Sequence, residues 1–106
     1  MRKGQPMPVL LIVSYVPSEA QEAIAAADRR ASAERINALD GFRWKFWVRE
    51  AAAGTRGGVY LFDSLEAARA WGEPTRERLS AAGGREVTIR YLDFDEALSA
   101  VNHAPF

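Results

Sequence analysis

No cysteine occurs in the chain, which excludes disulfides and thiolate chemistry and is compatible with a reducing compartment. Histidine occurs once, at His103 near the C-terminus, with no other cluster of ligand types around it. No protein-held metal is therefore expected, zinc and haem iron included. Net charge is also missing, because fourteen Lys and Arg balance fourteen Asp and Glu, so no overall field draws the chain to phosphate or anionic lipid. No nucleic-acid or membrane partner is expected. The apolar run VLLIVSYV at 9–16 follows a basic, proline-containing start, but it is too short to span a bilayer and has no small-residue cleavage site after it. Residues 1–7 read as a flexible N-terminal tail of a cytoplasmic protein. Residues 8–106 read as a single domain, since this length supports one small core.

What is present is apolar and aromatic. Residues 8–16 are β-branched and apolar on both alternating faces and stop at Pro17, the pattern of a central strand. Ser18 with Gln21 forms a capping box, and Ala20, Ala23, Ile24, Ala27 and Ala31 recur at helical spacing, predicting a helix with an alanine-rich buried face closed by Gly41. GFRWKFWVRE follows, with Phe42 expected to fold back on that helix end. Strict alternation from Phe42 then turns Trp44, Phe46 and Val48 toward the helices, and Arg43, Lys45, Trp47 and Arg49 toward the other face. AAAGTRGG reads as the loop of a hairpin leading to GVYLFD, a second doubly apolar strand. Asp63 with Glu66 suggests the cap of the next helix. Pro74 predicts a break near Trp71, because an interior proline costs about 3 kcal/mol, with a restart that runs to about Ala82. REVTIRYLDF is the last strand, and a terminal helix begins near Asp95.

The order βαββαβ closes as an α+β, ferredoxin-like antiparallel sheet of order 4-1-3-2, with both helices on one face. Its central strands are apolar on both sides, yet the helices cover only one. A second copy packed on the open face is the simplest cover, which predicts a homodimer. Trp47, Arg43 and Lys45 are the expected interface residues.

The segments INALDGFRWKFWVRE, GGVYLF and YLDFDEALSAVN resemble the YdhR-like putative mono-oxygenase family, small members of the dimeric α+β barrel superfamily related to antibiotic-biosynthesis-type mono-oxygenases. Gly41, Phe42, Trp44, Lys45 and Trp47 carry the spacing GFxWKxW, and Gly57, Gly58, Tyr60, Leu61 and Phe62 carry GGxYLF. The resemblance runs from about Ile36 to Asn102. It implies a dimeric barrel, and by way of related enzymes it implies oxidation of phenol- or quinol-like rings by dioxygen without metal or flavin. Other members of the superfamily degrade haem with a histidine on the second helix, where this chain has Trp71.

The aromatic residues suggest a cavity between sheet and first helix, because large side chains facing alanines either interdigitate or leave a slot. Tyr60 and Trp44 are the candidate catalytic donors. Phe46, Phe62 and Trp71 are candidate walls, and Arg78 and Arg90 are candidate charges favouring a substrate anion. No cofactor is expected. Two alternatives stay open: a noncatalytic small-molecule binder or stress-linked dimer, and an RNA-binding module of the same topology. The latter fits Arg56 and Gly57, but Gly58 and Asp63 stand where aromatics should be. His103 and Asn102 read as terminal residues without a catalytic part.

Overall fold

The computed structural model describes residues 7–106; most of the expected N-terminal tail, residues 1–6, lies outside them. The elements are β1 (Val9–Val16), α1 (Glu19–Glu22), α2 (Ala26–Ile36), β2 (Phe42–Glu50), β3 (Thr55–Phe62), α3 (Leu65–Ala81), β4 (Arg85–Leu92) and α4 (Glu96–Val101). The strands form one antiparallel sheet in the order β2-β3-β1-β4. This is the expected ferredoxin-like α+β arrangement. Among the described residues no helix is long and apolar enough to cross a membrane.

The core lies on the helix side of the sheet. Val9, Leu11 and Val13 of β1 and Tyr60 and Phe62 of β3 are almost fully buried there, with Ile36 from α2 and Ala68 from α3. Helix α3 is the main lid. It presents Ala68, Gly72 and Thr75 to the sheet, and Gly72 is required by close approach, since a Cβ there would sit 2.4 Å from the Tyr91 hydroxyl. Pro74 does not break α3. Both Pro74 and Ala70, whose carbonyl loses its partner, are exposed, so water can satisfy the freed carbonyl. The N-cap of α3 is Ser64, whose Oγ accepts from the Ala67 N–H at 3.1 Å. Asp63 instead pairs with Arg43.

The first helix departs most from expectation. The Ser18–Gln21 capping box forms, with both reciprocal bonds present, but the helix stops at Glu22 and resumes at Ala26. Ala20, Ala23, Ile24 and Ala27 are exposed, and α2 ends at Ile36, with Gly41 adopting a left-handed φ of 74° five residues later. Alanine methyls bury too little area to hold a helix down on a sheet. α2 therefore stands off, attached chiefly through Ile36.

Two further corrections concern the hairpin. Strand β3 begins at Thr55, so Arg56, Gly57 and Gly58 are strand residues; the connection is the single turn Ala51–Ala53 plus Gly54 in the left-handed region. The second correction decides the site. Phe42 pairs with Phe62, but Trp44 pairs with Leu61, so Arg43 is an extra residue in β2. One inserted residue reverses every later side chain. Trp44 and Phe46 join Leu61 and Val59 on the open face, while Lys45 and Trp47 join Tyr60 and Gly58 on the helix face.

On the open side the C-terminal segment returns from β4 toward β2. There the Trp44 indole N–H donates to the Pro105 carbonyl at 2.9 Å, and Phe94 packs edge-on against Phe106. Phe46 and Val48 on this face, and Leu98 and Val101 of α4, remain exposed.

Candidate active site

Because α2 stands off, a cavity of about 520 Å³ opens between it, the sheet and α3. Its floor is Val13 and Tyr60, its walls include Trp47 and Trp71, and Ile36 and Leu39 bound it on the α2 side. The chemically distinctive element of the cavity is Lys45. The bulge at Arg43 turns its side chain inward, and Gly58, directly beside it, leaves room for the stem: a Cβ on Gly58 would lie 2.6 Å from Lys45 Cε and 3.0 Å from the Tyr60 ring. Lys45 Nζ comes to rest 3.2 Å from the centre of the Trp47 ring and 4.6 Å from that of Tyr60.

Burial lowers the Lys45 pKa from 10.5 to about 7, and the Arg29 guanidinium adds repulsion in the same direction. The Trp47 and Tyr60 π-faces work against this shift by favouring the ammonium form. Lys45 thus titrates near neutrality, where a proton acceptor is most effective. Tyr60, 3% exposed, has its pKa raised by burial; the neighbouring Trp71 N–H and Arg78 oppose the rise, and Tyr15 adds to it. Tyr60 therefore stays a neutral phenol and a proton donor. The Trp71 Nε1–H is near enough to Tyr60 to favour its anion, but the two do not meet hydrogen-bond geometry, and this buried N–H has no partner. An unsatisfied buried donor in a cavity wall is a natural place for a ligand oxygen.

The structure brings together Tyr60, Trp71 and Arg78 of the residues singled out as site candidates from sequence. Arg78 stacks on Trp71, its guanidinium carbon 4.6 Å from the ring centre. Phe62 is fully buried and packs on Phe42 and Tyr60, behind the cavity rather than in its lining. Trp44 and Phe46 lie on the opposite face because of the bulge. Arg90 is opposite Ile12 in the β1–β4 ladder and so also points to the open side. Of the residues expected at an interface, Lys45 and Trp47 line the cavity, and Arg43 sits at the bulge beside Asp63. Sequence reasoning missed Lys45, Trp47, Tyr15 and Arg56 as cavity residues. The pair Gly57–Gly58 next to an aromatic strand was the available sign, since glycine within a strand marks a bulge or close approach.

The fold and this sheet-to-helix cavity define a small α+β domain with an aromatic-lined pocket between sheet and helices. The family model described as "Putative mono-oxygenase ydhR" matches residues 10–105, and the chain belongs to that family. No curated protein matches the chain.

Proposed function

We propose that the chain is a cofactor-independent mono-oxygenase that oxidises a small electron-rich aromatic, phenol- or quinol-like, with dioxygen in this cavity. The observation that carries the reading is Lys45, titrating near neutrality and held over the Tyr60 ring in an aromatic pocket. The neutral Lys45 amine takes the phenolic proton, and the substrate anion becomes the reductant. It passes an electron to dioxygen, and the two radicals join at a ring carbon that bears hydrogen, para to the phenolic oxygen or, where that position is substituted as in a quinol, ortho to it. That carbon then loses its hydrogen as a proton while the O–O bond breaks. One oxygen atom remains as the quinone carbonyl and the other leaves as water, so a phenol plus O2 gives quinone plus water with no outside reductant. Tyr60, kept protonated by burial, donates to the reacting oxygen.

If Tyr60 has this role, Tyr60→Phe lowers turnover by about 10²- to 10⁴-fold while the fold is retained. The measurement is oxygen uptake by metal-free protein with hydroquinones, naphthols and anthrones, against heat-denatured protein to subtract autoxidation. Uptake no faster than that control, with ligand binding intact, would leave a noncatalytic binder.

The working unit in this proposal is a cytoplasmic homodimer joined through the open sheet face. Phe46, 60% exposed, and Val48, Leu98 and Val101 supply the apolar surface that a second copy would cover. An interface of at least about 1,200 Å² is expected. Because Phe46 rather than Trp47 lies on the open face of the sheet, Phe46→Glu should shift the mass seen by light scattering from dimer to monomer, while Trp47→Ala should leave it unchanged. A wild-type monomer would reject the assembly.

A further inference from the structure

The chain as a whole has equal numbers of acidic and basic residues, but the cavity lining does not. Arg29, Arg35, Lys45, Arg56 and Arg78 all contribute to it, and no aspartate or glutamate does. Nor are these guanidinium groups discharged from outside. Among the described residues the ion pairs are Arg43 with Asp63 and Arg76 with Glu73, and neither involves a cavity arginine.

Each of the four is instead oriented by a neutral group. Arg56, the half-buried member, donates from Nε to the Tyr15 hydroxyl at 2.9 Å and from Nη2 to the Gln21 carbonyl at 2.6 Å. Arg78 donates to Thr75 Oγ1 at 2.8 Å and lies over Trp71. Arg35 donates to Ser32 Oγ at 3.0 Å, and Arg29 lies 5.8 Å from the centre of the Trp47 ring. Such partners fix direction and leave the charge whole. Four guanidiniums without a carboxylate partner, Arg56 half-buried and the other three exposed and partly screened by solvent, bias the cavity toward an anion.

A phenolate formed during the reaction does not account for this set, because one lysine already meets the phenolic proton and four further cations surround it. The walls set the rest of the ligand. Trp47, Trp71, Val13, Ile36 and Leu39 suit fused or substituted aromatic rings, and about 520 Å³ is room for a ligand of that size. Arginine's planar fork matches a carboxylate in two places at once.

We propose that the substrate is an aromatic hydroxy acid whose carboxylate is held by the cavity arginines, with Arg56 and Arg78 as its principal partners, while its phenol meets Lys45 and Tyr60. The phenolic half of this assignment rests on the mono-oxygenase reading; the carboxylate half rests on the arginines alone. The carboxylate acts as an anchor. It is charged throughout and so binds ground state and transition state alike, leaving the phenolic proton as the group whose state changes.

The test is binding, by tryptophan fluorescence and calorimetry, of 1-hydroxy-2-naphthoate against its methyl ester and 1-naphthol, to the whole chain. The acid is expected to bind at least about tenfold more tightly than the ester, since charge-assisted bonds are the strong ones. Added salt should erode that preference. Arg78→Gln should weaken the acid about tenfold and leave the ester unchanged. Because Arg56 also supports the turn after α1, Arg56→Lys serves as the second variant, keeping the charge and losing the fork. Equal binding of acid and ester, or arginine changes that weaken both alike, would overturn the proposal. Oxygen uptake separates this from the oxygenase reading. Selective binding of the acid with no uptake supports the anion site and removes the oxygenase; uptake with naphthol and no preference for the acid does the reverse.

Discussion

Lys45→Met is expected to lower turnover by about 10²- to 10⁴-fold, the range for removing a positioned proton acceptor, while leaving the fold in place and weakening ligand binding far less than turnover. Methionine keeps the stem that packs beside Gly58 and deletes only the amine. The pH profile is the sharper readout. Lys45 is active when neutral, and with its pKa lowered to about 7 the rate should rise as pH increases through that value and then level off. The groups bearing on it are Arg29, which repels its charge, and the Trp47 and Tyr60 faces, which favour it. Arg29→Gln should move the midpoint to higher pH, because repulsion that favours the neutral amine is removed. A merely structural lysine would change stability and leave the shape of the profile untouched. The stability consequence has its own sign. Since Lys45 binds its proton less readily folded than unfolded, the fold loses stability as pH falls from the unfolded value of 10.5 toward about 7, and no further below that. Lys45→Met should flatten this part of the stability curve, as measured by chemical denaturation.

The second large effect separates two adjacent glycines. Gly57→Ala should yield no stably folded protein, because its Cβ would come within 1.8 Å of the Val13 carbonyl oxygen, a backbone atom of the central strand. The β1–β3 ladder would have to part there, and losses of that kind exceed about 4 kcal/mol. Gly58→Ala meets Lys45 Cε and the Tyr60 ring instead, side-chain atoms that can move. It should fold, bind aromatics less well and lose most of its turnover, because the methyl occupies the space the lysine stem crosses. Circular dichroism and oxygen uptake on the two variants decide the matter. A folded Gly57→Ala protein with wild-type melting would refute the close approach, and an undiminished rate in Gly58→Ala would refute the placement of Lys45.

The strand order, the one-sided helices and the doubly apolar β1 and β3 were legible because they follow from runs of residues, where many weak preferences agree. The facing of β2 was not. A single inserted residue, Arg43, leaves composition and alternation unchanged along the strand, and nothing local distinguishes Phe42-in, Trp44-in from Phe42-in, Trp44-out. The outcome depends on long-range groups: Asp63, which takes Arg43, and Gly58, which admits Lys45. Tyr60, Trp71 and Arg78 line the cavity as the sequence suggests because they lie on β3 and α3, whose registers are fixed by their own patterns. Lys45 and Trp47 were placed on the wrong side because they lie beyond the bulge. Alanine periodicity likewise suggested a buried first helix, but periodicity says which side is apolar and says little about whether enough area exists to seat it.

The position of β1 carries a consequence for how the chain is made. Of the four strands in the described sheet β1 is made first, and it becomes an inner strand, paired on one side by β3 and on the other by β4, the last of the four. Until β4 emerges, one edge of an eight-residue apolar strand has no neighbour, and an unpaired apolar edge is an aggregation template. The sheet is thus most vulnerable in the interval before β4 is made. Its closing strand, Arg85–Leu92, has Arg85, Glu86 and Arg90 exposed, so the outer edge that finally faces solvent is charged where the nascent edge was bare.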